Sequence, residues 1–227
     1  MVLEKYYDSN DSIIEIGIDE VGRGPMFGRV YTAAVILPKT NLFKYELMKD
    51  SKKFTSRKKI LETANYIKEN CIAYSIGYED EKSIDKINIL NATHMAMHKA
   101  LKKLFMHNNN NNNNNNYLIL VDGNSFKTLT YYDKETESIK EYKNVCITGG
   151  DNKYASIAAA SILAKVERDL YIDDMCKQYP KLNELYDISK NKGYGTKKHM
   201  DGINQYGISE WHRKSFGICK TSDIIDI

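Results

Sequence analysis

Alternating apolar and polar positions predict short strands separated by helices along most of the chain. Residues 13–19 alternate and run into a Gly-rich turn, which predicts a first strand, and the β-branched, Ala-rich residues 30–37 predict a second. Further strands are predicted at 71–78, 117–121 and 145–148. The chain should therefore contain five strands.

Four segments have the spacing or composition of helices. Ser56 is a suitable N-cap for a helix over 57–70, and an amphipathic pattern spans 90–104. An Ala-rich segment predicts a helix over 155–178, and another is predicted over 197–205. Strands that alternate with helices predict an α/β fold with a mixed five-stranded sheet, helices on its faces and a small C-terminal helical extension.

Two polar segments interrupt this pattern and have the character of insertions. Residues 108–116 are nine consecutive asparagines, which have no apolar face to bury and predict a disordered surface loop. Residues 128–142 are polar and rich in Thr and Tyr, which is compatible with an extended hairpin. With 227 residues and no clear linker, we expect a single domain over 1–227, with a helical part from about residue 180.

Composition narrows the class of protein only a little. The formal charge of +3 does not by itself indicate nucleic-acid binding, although local clusters can still bind a duplex. The four cysteines form no CxxC pair, so a zinc knuckle is not expected and reduced thiols are. The polar N-terminal residues and the lack of an apolar run of roughly 18 residues predict a soluble, intracellular protein without membrane spans.

Four acidic residues lie where predicted strands end or a helix begins. Asp19 and Glu20 end the first strand, Asp122 ends the fourth, and Asp151 precedes the Ala-rich helix. Converging carboxylates repel one another unless cations hold them, and two Mg²⁺ ions about 4 Å apart do so in phosphodiester-cleaving sites. Taken singly, each acid has a simpler explanation: Asp122 suits an ordinary turn, and Asp151 a helix N-cap.

Gly22-Arg23-Gly24 follows these acids and allows backbone to approach a ligand closely. A dinucleotide fingerprint does not fit, because the third glycine would fall at Phe27 and a strand follows instead of a helix. A plain tight turn remains an alternative.

Basic and imidazole side chains form further candidate groups. Ser51 and Lys52 are suited to holding backbone phosphates within a first basic cluster, and a second surrounds Tyr194. The clusters are Lys49, Lys52, Lys53, Arg57, Lys58 and Lys59, and Lys190, Lys192, Lys197 and Lys198. A solvated helix face explains either cluster equally well.

His94 and His98 have metal-ligand spacing but no third ligand, so we expect a solvated helix face there. Arg168 is expected either to neutralise acids or to stay solvated.

A series of short blocks resembles the ribonuclease HII family, closest to its bacterial form. The blocks follow the family order between residues 13 and 216, so the resemblance covers nearly the whole chain. They are DEVGRGP at 19–25 (Ala is usual in place of Val), DSKK at 50–53, VDGN at 121–124, GD at 150–151, SIAAASILAKV at 156–166, RD at 168–169, GYGT at 193–196 and HRKSF at 212–216. Departures are Phe27, Arg29, the asparagine run and the longer stretch between Asp122 and Asp151.

The resemblance implies an RNase H-like fold and a metal-dependent endonuclease that acts on the RNA strand of RNA–DNA duplexes. Asp19, Glu20, Asp122 and Asp151 would bind two Mg²⁺ or Mn²⁺ ions, and cleavage would leave a 3′-hydroxyl and a 5′-phosphate. Gly22, Arg23 and Gly24, together with Tyr194, would sense the ribose 2′-hydroxyl, which implies incision at a single ribonucleotide embedded in DNA. A monomer is expected, with roles in ribonucleotide excision and primer removal.

Two other classes of function remain. One is a nuclease for other substrates, either long hybrids, as in ribonuclease HIII, or DNA. The other is a catalytically silent hybrid-binding module, which is expected to have lost at least one of the four acids. All four are present here.

Overall fold

The five-stranded sheet predicted from the alternating segments is present in the structure, a computed structural model that describes residues 3–107, 116–134 and 136–227. The strands, in chain order, are β1 (Ile14–Val21), β2 (Val30–Ile36), β3 (Ala73–Glu79), β4 (Tyr117–Asp122), β5 (Thr130–Asp133), β6 (Ser138–Glu141) and β7 (Lys143–Ile147). The sheet has the order β3-β2-β1-β4-β7, and β5 and β6 pair separately. All five predicted sheet strands are therefore confirmed, with ends shifted by no more than two residues.

Helices lie between β2 and β3, between β3 and β4, and after β7. They are α1 (Arg57–Asn70), α2 (Glu81–Ile87), α3 (Ile89–His107), α4 (Ala155–Gln178), α5 (Lys181–Tyr186), α6 (Ile188–Asn191) and α7 (Lys197–Tyr206). The predicted α1 and α4 are confirmed residue for residue, and the Ser56 hydroxyl accepts the amide of Lys59 as the expected N-cap. Sequence reasoning missed α2, α5 and α6, which have four to seven residues and are too short for a helical period to be recognised.

The register of the parallel strands brings two strand ends to one edge. Ile18 of β1 lies opposite Val121 of β4, and Asp122 lies opposite Ile147 of β7. Because the three strands run in the same direction, the residues that follow them leave the sheet at the same edge. This is where the first and fourth predicted strands place their acids.

The chain divides into two compact units, and the first contains most of the sheet. It comprises Met1–Glu20, Thr32–Gly77 and Met97–Val166. Its core joins one face of the sheet to α3 through buried side chains, among them Ile16, Ile18, Ile119, Val121, Met97, Leu101 and Leu104. Burying each such side chain contributes roughly 1.5–3 kcal/mol, so the strands that end in acids are firmly held.

A glycine in β1 allows the start of α4 to lie directly on the sheet. A Cβ atom on Gly17 would stand 2.2 Å from the carbonyl carbon of Ser156. No real Cβ atom approaches a neighbour that closely, so only glycine permits this approach of helix backbone to strand backbone. The fold thereby brings the first turns of α4 close to the strand that carries Asp19.

The two polar insertions differ in outcome. The hairpin expected within 128–142 is confirmed, since β5 and β6 pair antiparallel with Thr130 opposite Glu141. Of the asparagine run at 108–116, Asn116 is described and exposed, and the rest lies outside the described residues.

The second unit comprises Val21–Tyr31, Tyr78–Ala96 and Glu167–Ile227. It contains the predicted C-terminal helical part, with α5, α6 and α7. Its core is formed by buried side chains that include Met26, Phe27, Ile172, Leu182, Tyr186 and Ile203. The expected single catalytic domain over 1–227 stays a prediction.

Two histidines are completely buried in the second unit. The Nε2 atoms of His199 and His212 lie 3.0 Å apart, and His212 packs edge-on against the Phe27 and Tyr186 rings. Burial, and then the nearby His199, lowers the pKa of His212 to about 3. Burial lowers the pKa of His199 as well. Both side chains are therefore neutral in the folded protein.

Acidification should destabilise the protein through His212. Because the folded pKa lies below the unfolded value of about 6.5, the unfolded chain binds the proton first, and stability falls as the pH drops below that value. Between pH 7 and pH 5 the free energy of unfolding should fall by roughly 2 kcal/mol from this group. Urea unfolding of wild type and His212→Gln at both pH values measures this contribution, since the variant lacks it. Equal losses in the two proteins would contradict it.

All four cysteines are free thiols, as expected. Within the described residues, no helix is both long and apolar enough to cross a membrane.

Candidate active site

In the first unit, the acids at the strand ends lie close enough for their charges to interact. Asp19 and Asp151 are each 5% exposed, whereas Glu20 and Asp122 are half-buried. Asp19 and Glu20 lie in β1, and Asp122 ends β4 beside it. Asp151 lies in a short 3-10 turn, Gly150–Asn152, directly before α4.

Asp19 is the most strongly perturbed of these acids. Burial, and then the charges of Glu20 and Asp122, raise the pKa of Asp19 well above its ordinary value. A hydrogen bond from Ser161 and the amide of Glu20, which donates to Oδ1 at 2.7 Å, oppose that rise only in part. A buried carboxylate among other carboxylates is costly to ionise, so this position favours a cation.

The Gly149-Gly150 turn fastens Asp122 to the segment that carries Asp151. The amide of Gly150 donates to Asp122 Oδ1 at 2.6 Å. A Cβ at Gly150 would stand 2.5 Å from Ile157 Cδ1 and 3.3 Å from the same Asp122 oxygen. Burial, and then the charges of Asp122 and Asp50, raise the pKa of Asp151. Asp151 thus belongs to the acidic cluster and does not serve as the simple helix cap that its position alone would also permit.

A fifth acid, Asp50, was missed as a member of this cluster. Asn152 donates to Asp50 Oδ2 at 3.2 Å and to Asp151 Oδ1 at 3.0 Å, and so bridges the two carboxylates. Burial opposes ionisation of Asp50, but the amide of Lys52 and the Asn152 side chain lower its pKa overall. The signal in the sequence was the acid that opens the DSKK block, ahead of the candidate phosphate-binding Ser51 and Lys52.

Ser51 and Lys52 differ in their surroundings. Ser51 is buried with its Oγ 3.0 Å from Ser161 Oγ, whereas Lys52 is exposed. The Ser161 hydroxyl also hydrogen-bonds to Asp19, so Ser51, Ser161 and Asp19 form one line of hydrogen bonds. Ser51 therefore supports the orientation of Asp19 from inside the protein, and phosphate binding by Ser51 and Lys52 stays a prediction.

The donor set of this cluster fits a hard divalent cation. Carboxylate oxygens are the ligands that Mg²⁺ and Mn²⁺ prefer. Burial, and then neighbouring carboxylates, raise the pKa values of Asp19 and Asp151, and a bound cation would stabilise the ionised forms. Among the described residues, no group of three or more Asp, Glu, His or Cys side chains is arranged to hold a metal ion. An open arrangement is compatible with Mg²⁺, which keeps several waters and takes only one or two carboxylates.

In the second unit, one buried arginine holds the loop that contains Gly22, Arg23 and Gly24. Arg213 is fully buried, and its guanidinium donates to four carbonyls of residues 22–28. These are Gly22 at 2.6 Å, Arg23 at 3.1 Å, Pro25 at 2.7 Å and Gly28 at 2.8 Å. The planar fork of the guanidinium thus fixes the curvature of the loop.

A second buried arginine supports the same loop from its other end. Arg168 is 1% exposed and donates to the carbonyls of Arg29, Lys192 and Phe27. The expectation that Arg168 neutralises acids or stays solvated is therefore wrong, because its donors are taken up by backbone carbonyls. Sequence reasoning could not anticipate this, since a cation in a helix gives no sign of the carbonyls it will meet.

Gly22→Ala should destabilise the second unit. Gly22 has φ +90°, and an added Cβ would stand 2.3 Å from Arg168 Nε and 3.1 Å from the Arg29 carbonyl oxygen. We expect a loss of roughly 2–3 kcal/mol in the free energy of unfolding, measured by urea denaturation. Gly149→Ala is the control, because Gly149 also has positive φ but nothing lies within 4 Å of its Cβ. Equal losses for both variants would rule out the Arg168 contact as the cause.

Tyr194 stands beside this loop with its side chain 47% exposed. A Cβ on Gly24 would be 3.5 Å from Tyr194 Cε1, so the ring lies against the loop. The turn before it is set by Asn191, which accepts the amide of Gly193 at 2.8 Å on its side chain and the amide of Tyr194 at 3.0 Å on its carbonyl. Arg23 and Gly24 are exposed as well. An aromatic face and exposed backbone therefore share one surface.

The basic clusters are largely exposed, which both phosphate binding and a solvated helix face require. In the first cluster Lys52, Lys53, Arg57, Lys58 and Lys59 are exposed and Lys49 is half-buried. In the second, Lys190, Lys197 and Lys198 are exposed, but Lys192 is half-buried and paired with Asp173. His94 is 9% exposed, so the prediction of a solvated helix face is wrong for His94. His98 is half-buried, and its Nε2 contacts the Lys127 carbonyl.

Comparison with known proteins places the chain in a family. The family model described as Ribonuclease HII matches residues 16–219. The Ribonuclease HII of Phocaeicola vulgatus is 38% identical over 218 residues, which cover 96% of each chain. That of Pelagibacter ubique is 42% identical over 200 residues, or 88% of this chain and 94% of the relative.

Solved structures show the same fold at lower identity. The ribonuclease HII in a complex with PCNA from Archaeoglobus fulgidus has a TM-score of 0.65 at 20% identity, covering 91% of this chain and 96% of that one. A Bst-RNase HIII solved with Mn²⁺ has a TM-score of 0.61 at 18% identity, covering 86% and 70%. The RNase H-like fold class is thereby confirmed. The chain belongs to the ribonuclease HII family of metal-dependent endonucleases.

Proposed function

We propose that the protein hydrolyses the RNA strand of RNA–DNA duplexes and incises 5′ of a single ribonucleotide embedded in DNA, leaving a 3′-hydroxyl and a 5′-phosphate. The observation that carries the proposal is the mutual charge coupling of buried acids at the ends of neighbouring parallel strands. The protein is expected to act as a monomer.

Asp19, Glu20, Asp122 and Asp151 are the residues that would hold two Mg²⁺ or Mn²⁺ ions. Bound there, the ions supply an activated water and charge stabilisation for the leaving 3′ oxygen. The protein's own contribution is to keep the carboxylates oriented. Asp19 accepts from Ser161, Asp122 accepts the Gly150 amide, and Asp151 accepts from Asn152.

The loop at Gly22, Arg23 and Gly24 is suited to reading a ribose. Arg213 takes up the carbonyls of Gly22 and Arg23, which holds the backbone in one conformation before any ligand arrives. A preformed backbone surface senses a 2′-hydroxyl by hydrogen bonding, and the Tyr194 ring offers a face on which a sugar can pack. This combination supports recognition of one ribonucleotide, not of a long hybrid alone.

Lysines of the first cluster would position the duplex without reading its sequence. Lys52 and Lys53 are exposed, and Lys53 donates to Asn152, the residue that bridges Asp50 and Asp151. Phosphate contacts of this kind fix register and orientation. Lys52 and Lys53 belong to the same unit as the acids.

The function is tested with a DNA duplex that carries one internal ribonucleotide, incubated with Mg²⁺ and with EDTA. Incision 5′ of the ribonucleotide that requires Mg²⁺, with none on an all-DNA duplex, is the expected result. Cutting confined to a long hybrid would favour the ribonuclease HIII-like activity. Binding of both substrates without cutting would favour the silent binding module.

Tyr194→Ala should reduce single-ribonucleotide incision more than long-hybrid cleavage. A base or sugar stacked on an aromatic ring is worth about 1–3 kcal/mol, so kcat/KM on the embedded ribonucleotide should fall about 10- to 100-fold. Tyr206→Ala is the matched control, because Tyr206 is 42% exposed in the same unit. Steady-state kinetics on both substrates measures the effect, and equal losses on the two would remove the proposed role of Tyr194.

A further inference from the structure

A buried line of hydrogen bonds in the second unit ends on the backbone of Tyr194. The Ser209 amide lies 3.0 Å from His212 Nδ1, and the Ser209 hydroxyl lies 2.8 Å from the same atom. His212 Nε2 is 3.0 Å from His199 Nε2, and His199 Nδ1 is 2.9 Å from the Tyr194 carbonyl oxygen. Ser209, His212 and His199 are each completely buried.

The backbone at one end determines the direction of every bond in this line. The Ser209 amide can only donate, so His212 Nδ1 is the acceptor and carries no proton. The proton of neutral His212 is therefore on Nε2 and is donated to His199 Nε2. His199 must then carry its own proton on Nδ1, which donates to the Tyr194 carbonyl.

The surroundings keep both rings in these neutral forms. His212 contacts the Phe27 and Tyr186 rings edge-on, and His199 packs near Tyr186. A second proton on His212 would point at the Ser209 amide, and one on His199 Nε2 would point at the proton of His212. Burial opposes either charge, so the line has one arrangement of protons.

The Tyr194 carbonyl is held from two directions at once. It accepts the His199 side chain at 2.9 Å and the Thr196 amide at 2.8 Å, so both of its lone pairs are used. The Tyr194 amide is bound in turn to the Asn191 carbonyl. The backbone is thus fixed on each side, while the ring stays exposed against Gly24.

We propose that His199 and His212 are positioning residues that set the Tyr194 ring beside Gly24 and thereby sharpen the choice of ribose. This rests on the proposed reading of the ribose by Tyr194. Neither histidine touches substrate in this role. They act through the Tyr194 carbonyl, which the Nδ1-H of His199 reaches while its Nε2 accepts from His212.

Two amide substitutions at residue 199 distinguish the effect of the hydrogen bond to Tyr194 from the effect of burying a polar side chain. In His199→Asn the side-chain amide replaces the Nδ1-H donor, which preserves the bond to Tyr194 and loses the one to His212. In His199→Gln the side-chain oxygen replaces the Nε2 acceptor, which preserves the bond to His212 and releases Tyr194. Each variant breaks one buried hydrogen bond, so their unfolding free energies should match.

The readout is the ratio of kcat/KM on the embedded ribonucleotide to kcat/KM on a long hybrid. We expect His199→Gln to lower this ratio about tenfold, the size of one hydrogen bond, and His199→Asn to keep it within about threefold of wild type. If Tyr194→Ala lowers the ratio but the two His199 variants have equal ratios, the proposal is overturned. If Tyr194→Ala leaves the ratio unchanged, the ribose-reading role fails and the proposal fails with it, whatever the histidine variants do.

The directions of the bonds are tested without any activity. Nitrogen-15 NMR of the imidazoles should show a protonated Nδ1 and a bare Nε2 for His199, and the reverse for His212. The opposite assignment at either ring would overturn the proposed line of bonds, even if both enzymatic ratios were as expected.

Discussion

Asp19→Asn should abolish cleavage while leaving the protein folded and slightly more stable. Metal ions in such sites stabilise transition-state charge by several kcal/mol, so losing a central ligand should lower kcat by at least about 10³-fold. The substitution also removes a carboxylate whose ionised form is disfavoured by burial and then by the charges of Glu20 and Asp122. Urea unfolding without metal should therefore show a gain on the order of 1 kcal/mol.

Asp226→Asn is the control for this experiment, because Asp226 is an exposed acid near the end of the chain. It should change neither kcat nor the free energy of unfolding. Substantial cleavage by Asp19→Asn in the presence of Mg²⁺ would contradict the assignment of Asp19 as a metal ligand. A loss of stability in the same variant would contradict the inference that burial and neighbouring charges disfavour the Asp19 carboxylate.

Arg213→Lys should be the most destabilising conservative change in the second unit. Burial, and then the like charge of Arg168, lowers the pKa of Arg213 to about 9, so the group stays charged at neutral pH. A lysine keeps that charge but cannot span four carbonyls from a single nitrogen. We expect a loss of about 3–5 kcal/mol and a fall in Tm of about 10 °C.

The same substitution should impair catalysis through the loop that Arg213 holds. A displacement of 1 Å in a positioning element costs about 10²-fold, so kcat/KM on the embedded ribonucleotide should fall by that order below the melting temperature. Lys214→Met tests the neighbouring residue, which is exposed and should lie within about 0.5 kcal/mol of wild type. A stable, fully active Arg213→Lys would show that the four carbonyl contacts are dispensable.

The local sequence pattern was sufficient to predict the helices and strands that have a clear hydrophobic period or a strong N-cap. α1 begins after Ser56 as expected, and α4 spans the Ala-rich segment as expected, because both signals lie within a few consecutive residues. The hairpin β5–β6 was also suggested by a polar composition rich in Thr and Tyr. The short helices α5 and α6 were not, since their residues are held by contacts from elsewhere in the chain and not by an apolar period of their own.

The strand pattern made some acids candidates for a site, and the family resemblance selected the four. Asp19 and Asp122 each end a strand with a strong apolar signal, so parallel pairing of those strands brings them to one edge. Asp50 was missed as a partner, because its place beside Asp151 depends on Asn152, about a hundred residues away in the chain.

Neighbouring residues in the chain were enough to predict the strands and the long helices, and the resemblance of blocks spread over residues 13 to 216 indicated the family and the four candidate acids. The roles of the buried cations and imidazoles became visible only in the folded molecule. Arg168, Arg213, His199 and His212 are polar residues that a sequence pattern assigns to the surface, yet all four are buried. Their donors are satisfied by backbone carbonyls and by each other across separations of up to 191 residues. Since a buried donor must find an acceptor and the acceptor is supplied by the fold, local sequence carries no signal of that pairing.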